Sequence, residues 1–331
     1  MQTIFLVVLL VSFLATLLVT PLWIRSAKRA GLVGIDLNKP TKEKVAELGG
    51  IPVIFGFILG ILTLIGIQTF YLNEPLKNLE ILALLSSLLI ITGVGFIDDI
   101  LGWKLGLKQW QKPLLTLFAA LPIVVINVGQ SEMTLPLIGH IDVGILYPLL
   151  FVPLAIVFAS NAFNLLAGYN GLEAGMGIII LSTLGFATLK THNTFISIIA
   201  FTMVLSLIAF YLYNKHPSKI FPGDTMTYSI GALIAIVAIM GDVERIALII
   251  FLPYFLEFIL KLRGKLRKES FAKILEDGSL EQPYEKIYGL EHLTIKILKK
   301  LKKKVYEKDV VYTILLAELI LCTLVIRFYL Y

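Results

Sequence analysis

Of the 331 residues, one is a cysteine, Cys322, and four are histidines. A lone cysteine excludes an intrachain disulfide and any cysteine-based metal site. Charge is also scarce: Asp, Glu, Lys and Arg make up 16% of the chain against 57% hydrophobic residues, and the mean hydropathy is +0.87. A soluble domain of this length needs more polar surface, so a soluble enzyme is excluded. A cleavable leader is not expected either. Residues 4–24 are long enough to span a bilayer and lack a small-residue cleavage pattern, so they are expected to stay as a helix. The formal charge of +6 does not imply nucleic acid, because membrane topology accounts for where the basic residues lie.

What is present is a series of apolar runs. Ten spans are expected, at roughly 4–24, 50–71, 80–97, 113–128, 144–161, 174–190, 195–213, 226–241, 245–261 and 309–328. This predicts an all-α polytopic membrane protein forming a single integral membrane domain over 1–331. Alternate loops (25–49, 98–112, 162–173, 214–225 and 261–308) hold 25 of the 29 Lys and Arg residues. By the positive-inside rule those loops are cytoplasmic and both termini lie on the non-cytoplasmic side. Within loop 261–308, Leu290, Leu293, Ile297 and Leu301 fall near one helical face with lysines around them, which predicts an amphipathic helix on the membrane surface.

The basic-side loops also carry acids, amides and glycines. Residues 160–177 read SNAFNLLAGYNGLEAGMG, where Asn161 and Asn164 share a helical face and Gly168 and Gly171 allow a turn that brings Asn170 back toward it. Asp98 and Asp99 adjoin an apolar run, where carboxylates are costly and need a counter-charge. Adjacent helical residues diverge by about 100°, so the two aspartates should have separate tasks. Lys104, Lys108 and Lys112 follow at four-residue spacing, on one face if helical. Asp224 could cap the helix that starts there, and Phe221 could pack or stack on a base. In the first loop, Asp36, Asn38, Lys39 and Glu47 precede Gly49-Gly50 and can also be read as solvated loop charge. Acids and amides without a histidine cluster favour a hard cation, magnesium with manganese as the alternative. With lysines added, the set matches the inventory of phosphoryl transfer.

At this point a resemblance appears. DLNK with Glu47 and GG, GFIDD, NAFNLLAGYNGLEAG and FPGDT resemble, in order and position, the polyprenyl-phosphate N-acetylhexosamine-1-phosphate transferase superfamily (glycosyltransferase family 4). Within it the chain is most similar to the UDP-GlcNAc–dolichyl-phosphate GlcNAc-1-phosphotransferase branch, since Ala167 and Asn170 stand where bacterial relatives usually carry aspartates. The resemblance implies an active site on the cytoplasmic face. It implies Asn164 and Asp224 as ligands of Mg2+ (or Mn2+), and Asp98, Asp99 and Lys112 as the catalytic set, with Lys108 the rival of Lys112. Phe221 would stack on uracil, Leu37 and the Asn170-Gly171 turn would contact the uridine, and Glu47 would lie near the nucleotide-sugar. Asn161 would support the substrate pocket, and Arg263 and Arg267 would hold sugar and diphosphate, with Lys268 or Lys273 as substitutes.

The implied partners are UDP-GlcNAc, a polyprenyl or dolichyl phosphate and the bilayer, and a homodimer is compatible with them. The implied location is the plasma membrane in a prokaryote or the endoplasmic reticulum membrane in a eukaryote. The last inward loop holds only His292, where peptidoglycan-precursor translocases carry a histidine cluster, which argues against a MurNAc-pentapeptide substrate. Two rivals remain: the same reaction on another UDP-HexNAc, and a membrane transporter. A transporter would place charges at mid-depth and often show inverted repeats, whereas here the polar groups collect at one set of helix ends.

Overall fold

The computed structural model describes residues 2–72, 77–129, 132–135 and 139–329. Twelve helices succeed one another in these residues: α1 (Gln2–Ala30), α2 (Gly50–Ile67), α3 (Asn78–Leu105), α4 (Gln111–Val125), α5 (Val152–Leu165), α6 (Leu172–Lys190), α7 (Thr194–Asn214), α8 (Gly223–Gly241), α9 (Glu244–Ile250), α10 (Leu252–Arg263), α11 (Leu290–Leu301) and α12 (Glu307–Tyr329). Short antiparallel hairpins decorate the loops; the one that matters for the site joins β1 (Val33–Ile35) to β2 (Lys44–Ala46). The protein is an all-α polytopic membrane protein, as expected.

Among the described residues, eight helices are long and apolar enough to cross a membrane, α5 by continuing a π-helical stretch over Tyr147–Phe151 into one 19-residue span, Tyr147–Leu165. The other two expected spans differ, each for a local reason. The run at 113–128 yields the 15-residue helix α4, about 22 Å long at 1.5 Å per residue and so shorter than a bilayer core. The run at 245–261 is two helices, α9 and α10, which meet at Phe251. Pro253 follows two residues later and has no backbone N–H to continue the ladder from α9, while its fixed φ suits the first turn of α10.

Lipid offers helices no hydrophobic contrast, so association falls to close packing and hydrogen bonds between faces. Helix α8 is the most enclosed element: Thr225 to Ile239 are all buried, and it packs against α3 and α5. A bond between Thr92 Oγ1 and Ser229 Oγ (2.8 Å) ties α3 to α8. Helices α1 and α7 are joined by Ser12, which donates to the Thr202 carbonyl at 2.9 Å and meets Ser206 Oγ at 2.6 Å. Each such bond contributes on the order of 0.6 kcal/mol in a membrane. Their weight lies in fixing register, of α3 against α8 and of α1 against α7.

Candidate active site

The five basic-side loops meet. Backbone bonds clip the first onto the fourth: Phe221 N–H donates to Ala46 O at 2.8 Å, and Gly49 and Gly50 N–H donate to Phe221 O and Pro222 O, both at 2.9 Å. Asn38 Nδ2 reaches the Gly168 carbonyl of the third loop at 3.0 Å. Gln109 Nε2, from the second, donates to Leu266 O of the fifth at 2.5 Å. Polar residues spread over some 270 positions of sequence therefore share one end of the bundle.

At the centre, the Lys112 ammonium lies 2.6 Å from Asp98 Oδ2 and 3.0 Å from Asp224 Oδ2, over the Tyr228 ring at 5.7 Å. Lys108 is exposed, and its backbone N–H donates to Gln111 Oε1 at the start of α4. The Lys104 side chain lies outside the described residues. The two adjacent aspartates part as helical geometry requires. Asp98 Oδ1 accepts from Leu107 N–H at 2.6 Å and its other oxygen holds Lys112. Asp99 instead turns both oxygens on the start of α8, accepting from Asp224 N–H (2.7 Å), Thr225 N–H (2.9 Å) and the Thr225 hydroxyl (2.5 Å). It caps a helix from a neighbouring one, satisfying backbone donors that Gly223-Asp224-Thr225 would otherwise leave open.

This contact requires α3 and α8 to approach closely at Gly95, where a Cβ would fall 2.5 Å from the Asp224 carbonyl oxygen. A methyl there has only backbone to displace. Gly95→Ala is therefore expected to push the start of α8 away and cut activity by about 10²-fold or more, the scale set by misplacing a catalytic group by about 1 Å. Steady-state turnover beside a thermal-shift curve checks this. Activity within twofold of wild type would show that the close approach is not needed.

A cavity of about 370 Å³ opens beside Lys112 and is lined by Asn161, Asn164, Tyr228 and the fifth-loop segment 266–271. Asn164 Oδ1 accepts from the Thr227 hydroxyl at 2.8 Å, one helical turn above Asp224. Asn161 Nδ2 donates to Thr116 Oγ1 at 3.0 Å and so braces α5 against α4. Arg263 and Arg267 are exposed; the cations from their loop that line the cavity are Lys261 and Lys268. Two carboxylates, Asp98 and Asp224, thus hold one ammonium, with the Asn164 carboxamide on the adjoining cavity wall. That all-oxygen set fits a hard divalent cation of the kind held by one or two carboxylates plus waters and substrate phosphates. Among the described residues, no three Asp, Glu, His or Cys side chains form a metal cage by themselves.

Beside this centre, Glu47 and Phe221 meet over Gly34, where a Cβ would lie 2.4 Å from Glu47 Oε1 and 3.3 Å from the Phe221 ring. Leu37 is exposed between the buried Asp36 and Asn38. Asn170 is held firmly: Nδ2 donates to Asp36 Oδ2 at 3.0 Å, and its backbone N–H to Glu307 Oε1 at 2.8 Å. Gly171 begins α6 with φ +87°, a left-handed turn that suits glycine. The Asp36–Asn170–Glu307 bridge was not foreseen. Asp36 reads as loop charge, and Glu307 hides in the lysine-rich KKKVYEK run, 137 positions from Asn170.

Burial first, and the nearby Asp99 charge second, raise the Glu47 carboxyl above its ordinary value. The sign of the consequence follows from linkage. Below the unfolded-state value, both states carry the proton. As pH rises from there through the folded-state value, the unfolded chain releases its proton first, so stability falls. Glu47→Gln should therefore raise Tm at neutral pH, with the gain vanishing toward pH 4. A pH-independent Tm difference would remove Glu47 titration as its cause.

The glycosyl transferase family 4 profile matches residues 81–242. A Saccharolobus solfataricus protein named "Putative UDP-N-acetylglucosamine--dolichyl-phosphate N-acetylglucosaminephosphotransferase" is 40% identical over 87% of this chain and 87% of its own length. The chain belongs to glycosyl transferase family 4. A Dictyostelium discoideum relative, named UDP-N-acetylglucosamine--dolichyl-phosphate N-acetylglucosaminephosphotransferase, is 29% identical over 70% of this chain and 65% of its own. A Bacillus subtilis relative, "Probable undecaprenyl-phosphate N-acetylglucosaminyl 1-phosphate transferase", is 31% identical over 73% of this chain and 64% of its own. The matched family segment runs from α3 to the end of α8, and so contains Asp98, Asp99, Lys112, Asn164 and Asp224.

Proposed function

We propose that this protein transfers GlcNAc-1-phosphate from UDP-GlcNAc to a polyprenyl phosphate, of the dolichyl type, giving polyprenyl-diphosphate-GlcNAc and UMP. The observation that carries the reading is the Lys112 ammonium, held between Asp98 and Asp224 and lining a cavity shared by residues of the second, third and fifth loops. The names of the relatives supply the substrates.

In this reading a lipid-phosphate oxygen attacks the β-phosphorus of the donor. The new P–O bond forms as the bond to the UMP oxygen breaks, and UMP carries away the electron pair. Lys112 offsets charge that develops on the transferred phosphoryl group. Asp98 keeps that ammonium aimed at the cavity and orients the incoming phosphate, which needs little deprotonation because its second pKa is about 6. Asp99 holds the start of α8, and with it Asp224, in register. Asp224 and Asn164 would hold magnesium or manganese, whose contribution is to neutralise the donor diphosphate. Phe221 and Leu37 offer apolar faces for the uracil, and the Asn170-Gly171 turn its polar edge. The lysine and arginine asymmetry between loops supports a cytoplasmic site, with both termini on the other side of the membrane.

The test is the purified protein with dolichyl phosphate, magnesium and a panel of UDP-sugars, with UMP release as readout. Release with UDP-GlcNAc is expected. Release only with another UDP-HexNAc would keep the reaction and overturn the donor; no UMP with any sugar would sink both.

A further inference from the structure

We propose that Lys261 is a second phosphoryl-binding cation of this site, presented to the cavity from the end of α10 and positioned by Glu257 and Ser270. The inference deepens the phosphotransferase reading and rests on it. Lys261 lines the same cavity as Lys112 but comes from a different helix and a different loop. Its side chain is buried, so its charge was withdrawn from water at a cost that a structural role alone leaves poorly met. An ammonium has three donor positions. Ser270 Oγ, which also lines the cavity, takes one at 2.5 Å. Glu257 Oε1 stands 3.4 Å away and accepts no hydrogen bond from any described residue. The Lys261 head is thus steered by a carboxylate without being saturated by it, and its remaining donor capacity adjoins a space large enough for a phosphoryl group.

The surroundings keep it there. Glu257 Oε2 accepts from Leu290 N–H at 2.6 Å, fixing the carboxylate at the start of α11. Glu291 lies beside it: a Cβ on Gly289 would meet Glu291 Oε2 at 2.6 Å and Glu257 Oε1 at 3.1 Å. Burial, and the adjacent Glu257, push the Glu291 carboxyl well above the ordinary carboxylate range. That direction lessens the negative charge that the Glu257–Glu291 pair sets behind the ammonium. The same end of α10 favours a cation through its helix dipole. Arg263 and Arg267, the residues that a search for arginine would select in this loop, are exposed instead.

Lys261→Met alone would leave Glu257 buried without its counter-charge and could unfold the protein. Glu257→Gln/Lys261→Met is therefore run beside it, with Lys261→Arg as the conservative control and Tm measured for each. Wild-type UMP release tests the reaction itself. The double variant tests Lys261 through the separate KM values for UDP-GlcNAc and dolichyl phosphate. A rise of about tenfold or more in one KM, the scale of one charge-assisted hydrogen bond, is expected, with most of it restored in Lys261→Arg. A rise for dolichyl phosphate assigns Lys261 to the acceptor; a rise for UDP-GlcNAc assigns it to the donor diphosphate. Both KM values unchanged, or a fall in Tm and kcat with KM unchanged, would overturn the proposal and leave Lys261 as a clamp between α10 and α11. Equilibrium binding of inorganic pyrophosphate to the wild type and the double variant gives a readout without turnover. Weaker binding by the variant supports the assignment, and equal binding overturns it.

Discussion

Asp224→Asn is expected to lower UMP release on the order of a thousandfold, the scale for removing a group that stabilises charge in the transition state, while leaving the fold intact. The substitution keeps the shape and removes one charge. The Asp224 backbone N–H still donates to Asp99, so the start of α8 stays capped. Lys112 keeps its 2.6 Å partner Asp98, so its ammonium is not left alone in a buried site. What disappears is one of the two carboxylates on Lys112, the one proposed to hold a divalent cation against a diphosphate. The loss should therefore depend on metal. The magnesium activation curve of the variant should shift to higher concentration, and excess magnesium should recover part of the rate. UMP release measured across a magnesium titration, beside a melting curve, separates the cases. Turnover that matches wild type at every magnesium concentration would remove Asp224 from the machinery; a collapsed melting curve would recast it as a structural residue.

Much of this centre was legible in the chain, and the reasons are physical. A carboxylate at the edge of an apolar run must have a partner, so Asp98 and Asp99 announce a polar site from the sequence alone. The lysine asymmetry of the loops placed them on a common side, and the contacts among those loops agree. The geometry separated readings that sequence could only pair. Lys108 and Lys112 lie one helical turn apart and look equivalent by spacing. Only Lys112 falls at the entry of α4, where Asp98 and Asp224 converge on it. What could not be read was set by contacts across long separations. Gly95 looks like an ordinary small residue in GFIDD until α8 passes over it. Glu307 looks like one acid in a basic run until it receives the Asn170 backbone. The break at Phe251 went unread because hydropathy averages across a proline, although the helix ladder does not. In the fifth loop, residue type points to Arg263 and Arg267, which are exposed, and nothing in the sequence marks Lys261 as the buried cation lining the cavity.

Asp98 and Asp99, adjacent in sequence, should fail in different ways when each is changed to asparagine. Asp99 serves three donors at the start of α8, two of them backbone N–H groups. An asparagine offers one oxygen and turns an NH2 group on the other donors, leaving at least one buried N–H unpaired. That costs about 1–3 kcal/mol, and losing an anion at a helix N-terminus adds about 0.3–1 kcal/mol. Asp99→Asn should thus lower the melting temperature and the rate together, because Asp224 and Lys112 shift with α8. Asp98 serves one backbone N–H and the Lys112 ammonium. An asparagine can keep the Leu107 bond through its oxygen, and Lys112 retains Asp224. Asp98→Asn should therefore cost little stability and mainly kcat, with the KM for the lipid phosphate rising if Asp98 also orients that group. Denaturant or thermal melts set beside kcat and both KM values test the contrast. If Asp99→Asn melted like wild type and still lost its rate, Asp99 would have to act on the reacting phosphate itself. If Asp98→Asn lost as much stability as Asp99→Asn, the division of labour drawn from their 100° divergence on α3 would fail.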